Sequence, residues 1–290
     1  MIFGILCALG VFAIVFAGYF FKDLSTHKAN LERETNFVTA ACIGFVTNFL
    51  DTLGIGSFAP MTALLRGFKQ IRDRVIPGTL NVSCTLPVVV EAFIFITVVK
   101  VEIVTLISMI VAAVIGTIIG AGIVAKLPEK KIQLFMGIAL LTTAFFMLSG
   151  QLGWIAGLGT GKAIGLTGGK LIIAVVVNFV LGALQAAGIG MYAPSMAMVY
   201  ILGMTPRVAF PLMMASAAFT LPPASIKFIK EGAYNRKASL AITVSGIVGV
   251  FIAAFIVKSL PVKTLIWLVI VVIVYTAITL LLRAAKKSKE

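Results

Sequence analysis

Acidic residues, histidine and cysteine are all scarce in this sequence. Asp and Glu together number 10 in 290 residues, and there is one histidine. The three cysteines, Cys7, Cys42 and Cys84, lie in apolar stretches and show neither a disulfide pattern nor metal-ligand spacing. We therefore predict no metal site and no cofactor. Because the apolar stretches also lack histidine, paired acids at helical spacing and a Ser-Lys dyad, we predict that the protein is not an enzyme.

Long apolar runs, by contrast, dominate the chain. Hydrophobic residues make up 60% of the sequence and charged residues 12%, which indicates a polytopic membrane protein rather than a soluble domain. Unbroken runs long enough to cross a bilayer span 2–21, 77–99, 103–125, 132–150, 208–226, 239–257 and 264–282. No basic segment precedes the first run and no convincing cleavage site follows it, so we expect a retained first helix.

One interrupted apolar segment occurs twice. Residues 37–60 and 171–194 share nine of 24 positions at an offset of 134, including Gly-Ile-Gly and Ala-Pro. Glycine and proline break a helix, and the freed backbone groups persist at membrane depth only where protein or water surrounds them. Paired breaks in two halves mark the substrate site of secondary transporters. We predict an all-α polytopic membrane protein with two homologous, inverted repeats, each with a re-entrant or discontinuous broken helix, plus an extra N-terminal helix.

The predicted organisation has four parts. These are the N-terminal helix and linker (1–36), the first repeat (37–150), an inter-repeat linker (151–170), and the second repeat with its basic tail (171–290). The helices at 103–125 and 239–257 carry glycines that predict close packing against neighbouring helices, namely Gly116, Gly120, Gly122, Gly246 and Gly249.

The positive charges bear on the topology. If each broken segment dips into the membrane and returns, one face collects 18 of the 24 Lys and Arg residues; if both segments cross, the split is 10 to 14. The positive-inside rule favours the first arrangement, with the N-terminus outside and the C-terminus cytoplasmic in a cell inner membrane. We attribute the net charge of +14 to these links rather than to nucleic-acid binding, so the predicted partners are the bilayer and a small anion.

The two breaks form the predicted substrate site. Each break would expose the N-terminus of a short half-helix, whose free N–H groups and dipole favour an anion. The predicted substrate-binding residues are Asn48, Asp51, Gly54, Gly56, Ser57, Pro60, Asn81, Asn178, Gln185, Gly188, Gly190, Tyr192, Pro194 and Ser195.

Two acidic residues, Asp51 and Glu91, lie within apolar runs. Ionisable groups at membrane depth are expensive and usually functional, so both are candidates for proton coupling. Two structural alternatives remain open at this point. Asp51 could cap backbone groups beside the break, and Glu91 could reach the membrane interface from a helix end.

The repeated Gly-Ile-Gly before an aromatic residue and Ala-Pro, the Lys-Leu-Pro-Glu-Lys-Lys segment at 126–131, and the two homologous halves resemble the sulfite exporter TauE/SafE family of membrane permeases. The resemblance covers about residues 37 to 283. It implies transport, often outward, of small sulfur-containing anions such as sulfite, sulfoacetate or other organosulfonates. Family members often have a further glycine where Ser57 and Met191 stand, so this chain departs from that pattern in both halves.

Together these observations predict a secondary transporter that works by alternating access around the paired broken helices. Two alternatives use the same breaks. One is an anion channel, and the other is a transporter of a carboxylate without sulfur.

Overall fold

The computed structural model describes residues 2–28, 31–124, 129–152, 161–186, 190–259 and 261–285. Every regular element in these ranges is a helix, which confirms the prediction of an all-α protein. The α-helices are α1 (Ile2–Thr26), α2 (Phe37–Thr52), α3 (Phe58–Gly67), α4 (Ile76–Val98), α5 (Ile103–Val124), α6 (Glu129–Gln151), α7 (Gly168–Ala186), α8 (Tyr192–Ile201), α9 (Ala209–Lys230), α10 (Arg236–Ser259) and α11 (Val262–Ala285).

Among the described residues, six helices are long and apolar enough to cross a membrane. These apolar stretches are Ile2–Thr26, Ile76–Val98, Gly168–Gln185, Pro206–Lys230, Arg236–Val257 and Ile266–Ala285. The described parts of α5 and α6 contribute the shorter apolar stretches Ile103–Ile119 and Leu140–Ser149. The chain is therefore a multi-pass membrane protein, as its composition predicted.

The first helices of the two broken segments differ in length. α2 has 16 residues, or about 24 Å of helix against a hydrocarbon core of about 30 Å. α7 has 19 residues and includes one of the stretches long enough to cross. The length of α7 is therefore compatible both with a helix that crosses the membrane and with one that enters it and returns on the same side. The re-entrant arrangement and the inverted orientation of the repeats stay predictions.

The helices group into two compact units, and each unit combines helices from both sequence repeats. The first unit contains α1 to α4, α10, and α9 from Met214 onward. The second contains α5 to α8, α11, and the start of α9 up to Met213. The repeat boundaries at 37–150 and 171–290 describe a duplication along the sequence, and the compact units divide the same chain differently.

In the first unit, α2 and α10 approach closely along their length. A Cβ atom added to Gly249 of α10 would lie 2.6 Å from the carbonyl oxygen of Phe45. One added to Gly246 would lie 2.6 Å from the side-chain nitrogen of Asn48. Glycine is needed at such contacts because a larger side chain would hold the two backbones apart.

The second unit makes the equivalent contact between α7 and α5. A Cβ atom added to Gly116 of α5 would collide with the carbonyl oxygen of Phe179. Phe179 matches Phe45 at the repeat offset of 134, and Gly116 matches Gly249 at an offset of 133. The broken segment of each sequence repeat thus packs on a glycine-bearing helix of the other repeat. The close packing predicted for Gly116, Gly246 and Gly249 is confirmed.

A polar cluster joins the links of the first unit. Arg236 donates from Nε to Asp23 at 2.7 Å, and the Tyr234 hydroxyl donates to the same carboxylate at 2.5 Å. Burial and this hydrogen bond raise the pKa of Tyr234. The Glu32 carboxylate accepts the N–H groups of Arg236 and Lys237 at 2.9 and 3.0 Å. Glu32 therefore caps the N-terminus of α10, where a negative charge is favoured.

The close α5–α7 contact predicts that Gly116→Ala destabilises the protein. We expect a loss of about 1–3 kcal/mol from steric overlap with the α7 backbone, even though alanine favours a helix over glycine by about 1 kcal/mol. The measurement is the thermal unfolding midpoint of purified protein in detergent. Gly18→Ala on α1 is the control, because nothing lies within 4 Å of its added Cβ. Equal midpoints for the two variants would contradict the prediction.

Candidate functional site at the helix breaks

The first break, residues 53–57, is a helix stop followed at once by a helix start. Gly54 has a φ of 93°, and its N–H donates to the carbonyl oxygen of Asp51 at 2.7 Å. The N–H of Ile55 donates to the carbonyl oxygen of Leu50 at 3.1 Å. This pair of bonds is the Schellman motif, which terminates a helix and requires the positive φ that glycine adopts readily. Gly56, with a φ of 86°, then leads the chain toward α3.

Asp51 links the two helices across the first break. Its Oδ1 accepts the N–H of Ser57, the residue that precedes α3, at 2.6 Å. The side chain is buried, with 3% of Asp51 exposed. The capping role that the sequence left open for Asp51 is therefore present. The Asp51 carboxylate therefore accepts an N–H group that the sequence predicts would face a bound anion.

The second buried acid, Glu91, lies on α4 and contacts the end of α2. Thr52 Oγ1 is 2.8 Å from Glu91 Oε1 and 3.0 Å from the carbonyl oxygen of Asn48. Glu91 is fully buried within the first unit, so its side chain is held by protein rather than extended to the surface. Thr52 is a contact residue that the predicted set missed, although it lies one helical turn after Asn48.

Asn48 carries an unsatisfied acceptor. Its Nδ2 donates to the carbonyl oxygen of Gly44 at 2.8 Å. Its Oδ1 has no hydrogen-bond partner among the described residues, and Asn48 is fully buried. Buried polar atoms almost always have partners, so an exception in a membrane protein is a candidate position for a ligand or a water molecule. This placement fits the predicted role of Asn48.

Pro87 interrupts the hydrogen bonding of α4, and α10 compensates for the loss. Proline has no N–H, so the carbonyl oxygen of Ser83 lacks its intrahelical donor. Thr243 Oγ1 of α10 donates to that oxygen at 2.9 Å. A second polar contact, at 2.8 Å, joins the hydroxyls of Thr85 on α4 and Ser225 on α9. Sequence reasoning missed Thr243 as a partner of this proline because the two are far apart in the chain.

The predicted second break lies largely outside the described residues, which include neither Ala187, Gly188 nor Ile189. α7 is described as far as Ala186, and α8 begins at Tyr192 after Met191. On α7, Asn178 Nδ2 donates to the carbonyl oxygen of Met109 on α5 at 2.7 Å. That contact gives Asn178 a role in packing α7 against α5.

The predicted residues divide between the two units. The first unit holds Asn48, Asp51, Gly54, Gly56, Ser57, Pro60, Asn81 and Glu91, and the second holds Asn178, Gln185, Tyr192, Pro194 and Ser195. Contacts join Asp51 to Ser57 and Glu91 to Thr52, whereas Asn81 donates to the carbonyl oxygen of Pro77 in its own helix at 2.8 Å. Gly190 lies exposed just before α8. The roles of these residues in substrate binding stay predictions.

The helices and the polar break define the class of protein as a multi-pass helical membrane protein with a discontinuous segment that carries buried acids. A family model described as "Sulfite exporter TauE/SafE" matches residues 4–147 and 170–290. The chain therefore belongs to the sulfite exporter TauE/SafE family. Comparison with curated proteins and with solved structures gave no match.

The family match has two parts separated by a short gap. The gap covers residues 148–169 and overlaps the predicted inter-repeat linker at 151–170. The match begins at residue 4, so it includes most of the first helix. Membership makes the protein a membrane transporter related to sulfite exporters, not an enzyme. It acts in a lipid bilayer on a small molecule.

The contact between Asp51 and Ser57 generates a prediction that distinguishes two contributions of Asp51 to stability, its negative charge and its hydrogen bond. Asp51→Asn keeps an oxygen that accepts the Ser57 N–H, so we expect a thermal unfolding midpoint close to that of the wild type. Asp51→Leu removes the acceptor and leaves a buried N–H unpaired, which costs about 1–3 kcal/mol. Thermal unfolding of both variants in detergent is the measurement. Equal destabilisation by the two changes would show that the hydrogen bond is not what Asp51 contributes to the fold.

The Thr243 contact generates a second prediction. Thr243→Val preserves shape but leaves the Ser83 carbonyl oxygen at the proline kink without a donor, and we expect a loss of about 1–3 kcal/mol of stability. Thr97→Val is the matched control, because Thr97 is exposed and bonds only within its own helix. A wild-type unfolding midpoint for Thr243→Val would mean that water or another group serves the carbonyl equally well.

Proposed function

We propose that this protein is a secondary transporter, working as an exporter, of small sulfur-containing or organic anions such as sulfite, sulfoacetate or other organosulfonates. Transport would proceed by alternating access around the paired broken helices. The observation that carries the proposal is the first break, where buried polar side chains and two buried acids meet at the end of a helix in a membrane protein. Family membership supports sulfite as the first substrate to test.

The physical cost of the first break supports a functional role. Hydrocarbon offers no hydrogen bonds, so an interrupted helix in a bilayer survives only when protein or a wet cavity serves its free backbone groups. Here Asp51, Gly54 and Ile55 provide those contacts. A site that needs this much local compensation is typical of the discontinuous helices that hold substrates and coupling ions in transporters.

The hydrogen bonds of the Thr52 hydroxyl support Glu91 as a proton carrier. The Thr52 hydroxyl has one hydrogen but two oxygens within reach, Glu91 Oε1 and the carbonyl oxygen of Asn48. When Glu91 is ionised, Thr52 donates to it. When Glu91 is protonated, Glu91 donates to Thr52, whose hydrogen then turns to the carbonyl oxygen of Asn48. The hydrogen bond between Glu91 and Thr52 can thus form whether Glu91 is ionised or protonated. Glu91 could therefore bind and release a proton during transport without losing this contact.

Asp51 is the second coupling candidate. It is held by the N–H of Ser57 at 2.6 Å, and protonation would weaken a bond that joins α2 to α3. A neutral carboxyl keeps an oxygen that accepts the Ser57 N–H, so Asp51 could take up a proton while the contact across the first break persists without its charge.

The bilayer is proposed to be a cell inner membrane, with the N-terminus outside and the C-terminus cytoplasmic. The distribution of Lys and Arg among the links supports this orientation, with 18 residues on the cytoplasmic face when the broken segments dip and return. An outward flux would then run from the basic face to the opposite face.

The test is flux in proteoliposomes with an imposed pH gradient and sulfite or sulfoacetate as substrate. We expect saturable, gradient-driven flux in the wild-type protein. In Glu91→Gln and Asp51→Asn, we expect gradient-driven accumulation to fall at least tenfold while the proteins remain folded. Counterflow of labelled against unlabelled substrate, which needs no net proton movement, is the internal control for Glu91→Gln.

The same assay distinguishes the alternatives. Large single-channel currents without counterflow would show that the protein is an anion channel rather than a carrier. Flux of acetate or lactate without flux of sulfite or sulfoacetate would show that the substrate is a carboxylate without sulfur. Absence of flux for every anion would overturn the proposed function.

A further inference from the structure

The two ends of the first broken segment lie together in the first unit. Thr35, which precedes α2, donates from its hydroxyl to the carbonyl oxygen of Gln70, which follows α3, at 2.8 Å. The N–H of Asn36 donates to Gln70 Oε1 at 2.8 Å, and Gln70 is buried. These contacts hold the turn after α3 against the link before α2, as the re-entrant arrangement requires.

An open cavity of about 420 Å³ lies beside these contacts. It is lined by Glu34 from the link before α2 and, from the end of α3 and the residues after it, by Arg66, Lys69, Ile71 and Arg72. The lining has three cations and one acid, so it favours an anion. Glu34 pairs with Arg72 at 3.1 Å at the protein surface, where an ion pair contributes little stability and exchanges readily for another partner.

Lys69 has an unusual backbone conformation. Its φ is 51°, in the left-handed region that lysine rarely adopts. The N–H of Lys69 donates to the carbonyl oxygen of Arg66 at 3.0 Å, and the N–H of Gln70 donates to that of Leu65 at 2.9 Å. This is a second Schellman motif, and Lys69 occupies the position that glycine usually fills.

The second sequence repeat builds the same turn with glycine. Gly203 matches Lys69 at the offset of 134 and has a φ of 83°. The N–H of Gly203 donates to the carbonyl oxygen of Tyr200 at 3.1 Å, and the N–H of Met204 donates to that of Val199 at 3.0 Å. Glycine adopts this conformation without the steric cost that a side chain brings.

The lysine of the first half is therefore less favourable for the turn than the glycine of the second half. Strained residues of this kind cluster at functional sites, where the side chain has a role that offsets the strain. The second repeat has none of the three cations of the cavity, because the equivalent positions hold Tyr200, Gly203 and Pro206. The positive cavity is thus a feature of the first half.

The surroundings of Lys69 indicate which kind of anion the cavity meets. Its side chain is exposed and has no ion pair or hydrogen bond with any residue that the structure describes. Phe68, the preceding residue, is 60% exposed. Exposed aromatic rings beside cations are typical of segments at a membrane surface, where apolar groups meet acyl chains and cations meet phosphate groups.

We propose that this cavity binds the phosphate group of an anionic phospholipid through Lys69, with Arg66 and Arg72 as further partners. The two guanidinium groups match the geometry of phosphate oxygens, and the lysine supplies a point charge. The exposed ring of Phe68 provides an apolar contact for the acyl chains. This site goes beyond the proposed transport function, because its ligand is a lipid of the bilayer and not the transported anion.

The test is binding of a short-chain phosphatidylglycerol to purified full-length protein in neutral detergent, with the matching phosphatidylcholine for comparison. Native mass spectrometry and the lipid-induced rise of the thermal unfolding midpoint measure the affinity. We expect phosphatidylglycerol to bind more tightly than phosphatidylcholine, and we expect added salt to weaken this binding.

Lys69→Gly is the informative variant, because glycine suits the left-handed turn. We expect its unfolding midpoint without lipid to be at least that of the wild type. We expect its affinity for phosphatidylglycerol to fall about fivefold or more, the effect of removing one cation near an anionic lipid. Lys69→Arg keeps the charge and is expected to retain most of the affinity.

Lys100→Gly is the matched control. Lys100 is also exposed and lies between two helices, outside the cavity. The substitution removes the same charge from a chain whose net charge is +14, so it measures the general effect of charge on lipid binding. We expect this variant to bind phosphatidylglycerol as the wild type does.

Three results would overturn the proposal. One is equal affinity of the wild type and Lys69→Gly for phosphatidylglycerol, and another is an equal loss in Lys69→Gly and Lys100→Gly. The third is stabilisation by inorganic phosphate that depends on Lys69 without stabilisation by phosphatidylglycerol, which would make the cavity a site for a soluble oxyanion. None of these results bears on anion flux, which the proteoliposome assay tests separately.

Discussion

The structure depends on one constraint, which is that backbone groups freed inside a membrane must find hydrogen bonds within the protein. At the first break this is achieved with few residues. Gly54 ends α2 in a left-handed cap, and the Asp51 carboxylate bonds across the gap to Ser57. At the kink of α4, Thr243 replaces the donor that Pro87 lacks. Because hydrocarbon cannot supply these bonds, each of these residues is tied to its position far more strictly than an exposed loop residue would be.

Duplication gives the two compact units the same packing rule. In each unit a broken segment lies against a glycine-bearing helix from the other sequence repeat, through Phe45 and Gly249 in one and Phe179 and Gly116 in the other. Glycine at these positions brings the backbones into contact, and interhelical packing of this kind is a main source of stability where the hydrophobic effect does not act between helices. Exchange of helices between repeats also means that neither repeat forms its compact unit alone.

The side chains have diverged where the backbones have not. The first half keeps Asp51 at the break, with Glu91 held by Thr52 beside it. The second half has Gln185 at the equivalent position and an unpaired hydroxyl on Ser195. Charge in a low-dielectric interior acts strongly on nearby ions, so the equivalent positions 51 and 185 differ in how they interact with an ion.

The sequence by itself determined the class of the molecule: the apolar runs required a helical membrane protein, the offset of 134 required a duplication, and Gly54 and Gly56 required an interruption. These are local properties of composition, spacing and backbone freedom. It also found both buried acids, but it could not choose between capping and coupling for Asp51, because that depends on which N–H the carboxylate reaches. Only the tertiary structure decided that α2 packs on α10, that Thr52 contacts Glu91, and that Thr243 serves the kink at Pro87. Those contacts join residues that are distant in the chain, so no local pattern records them.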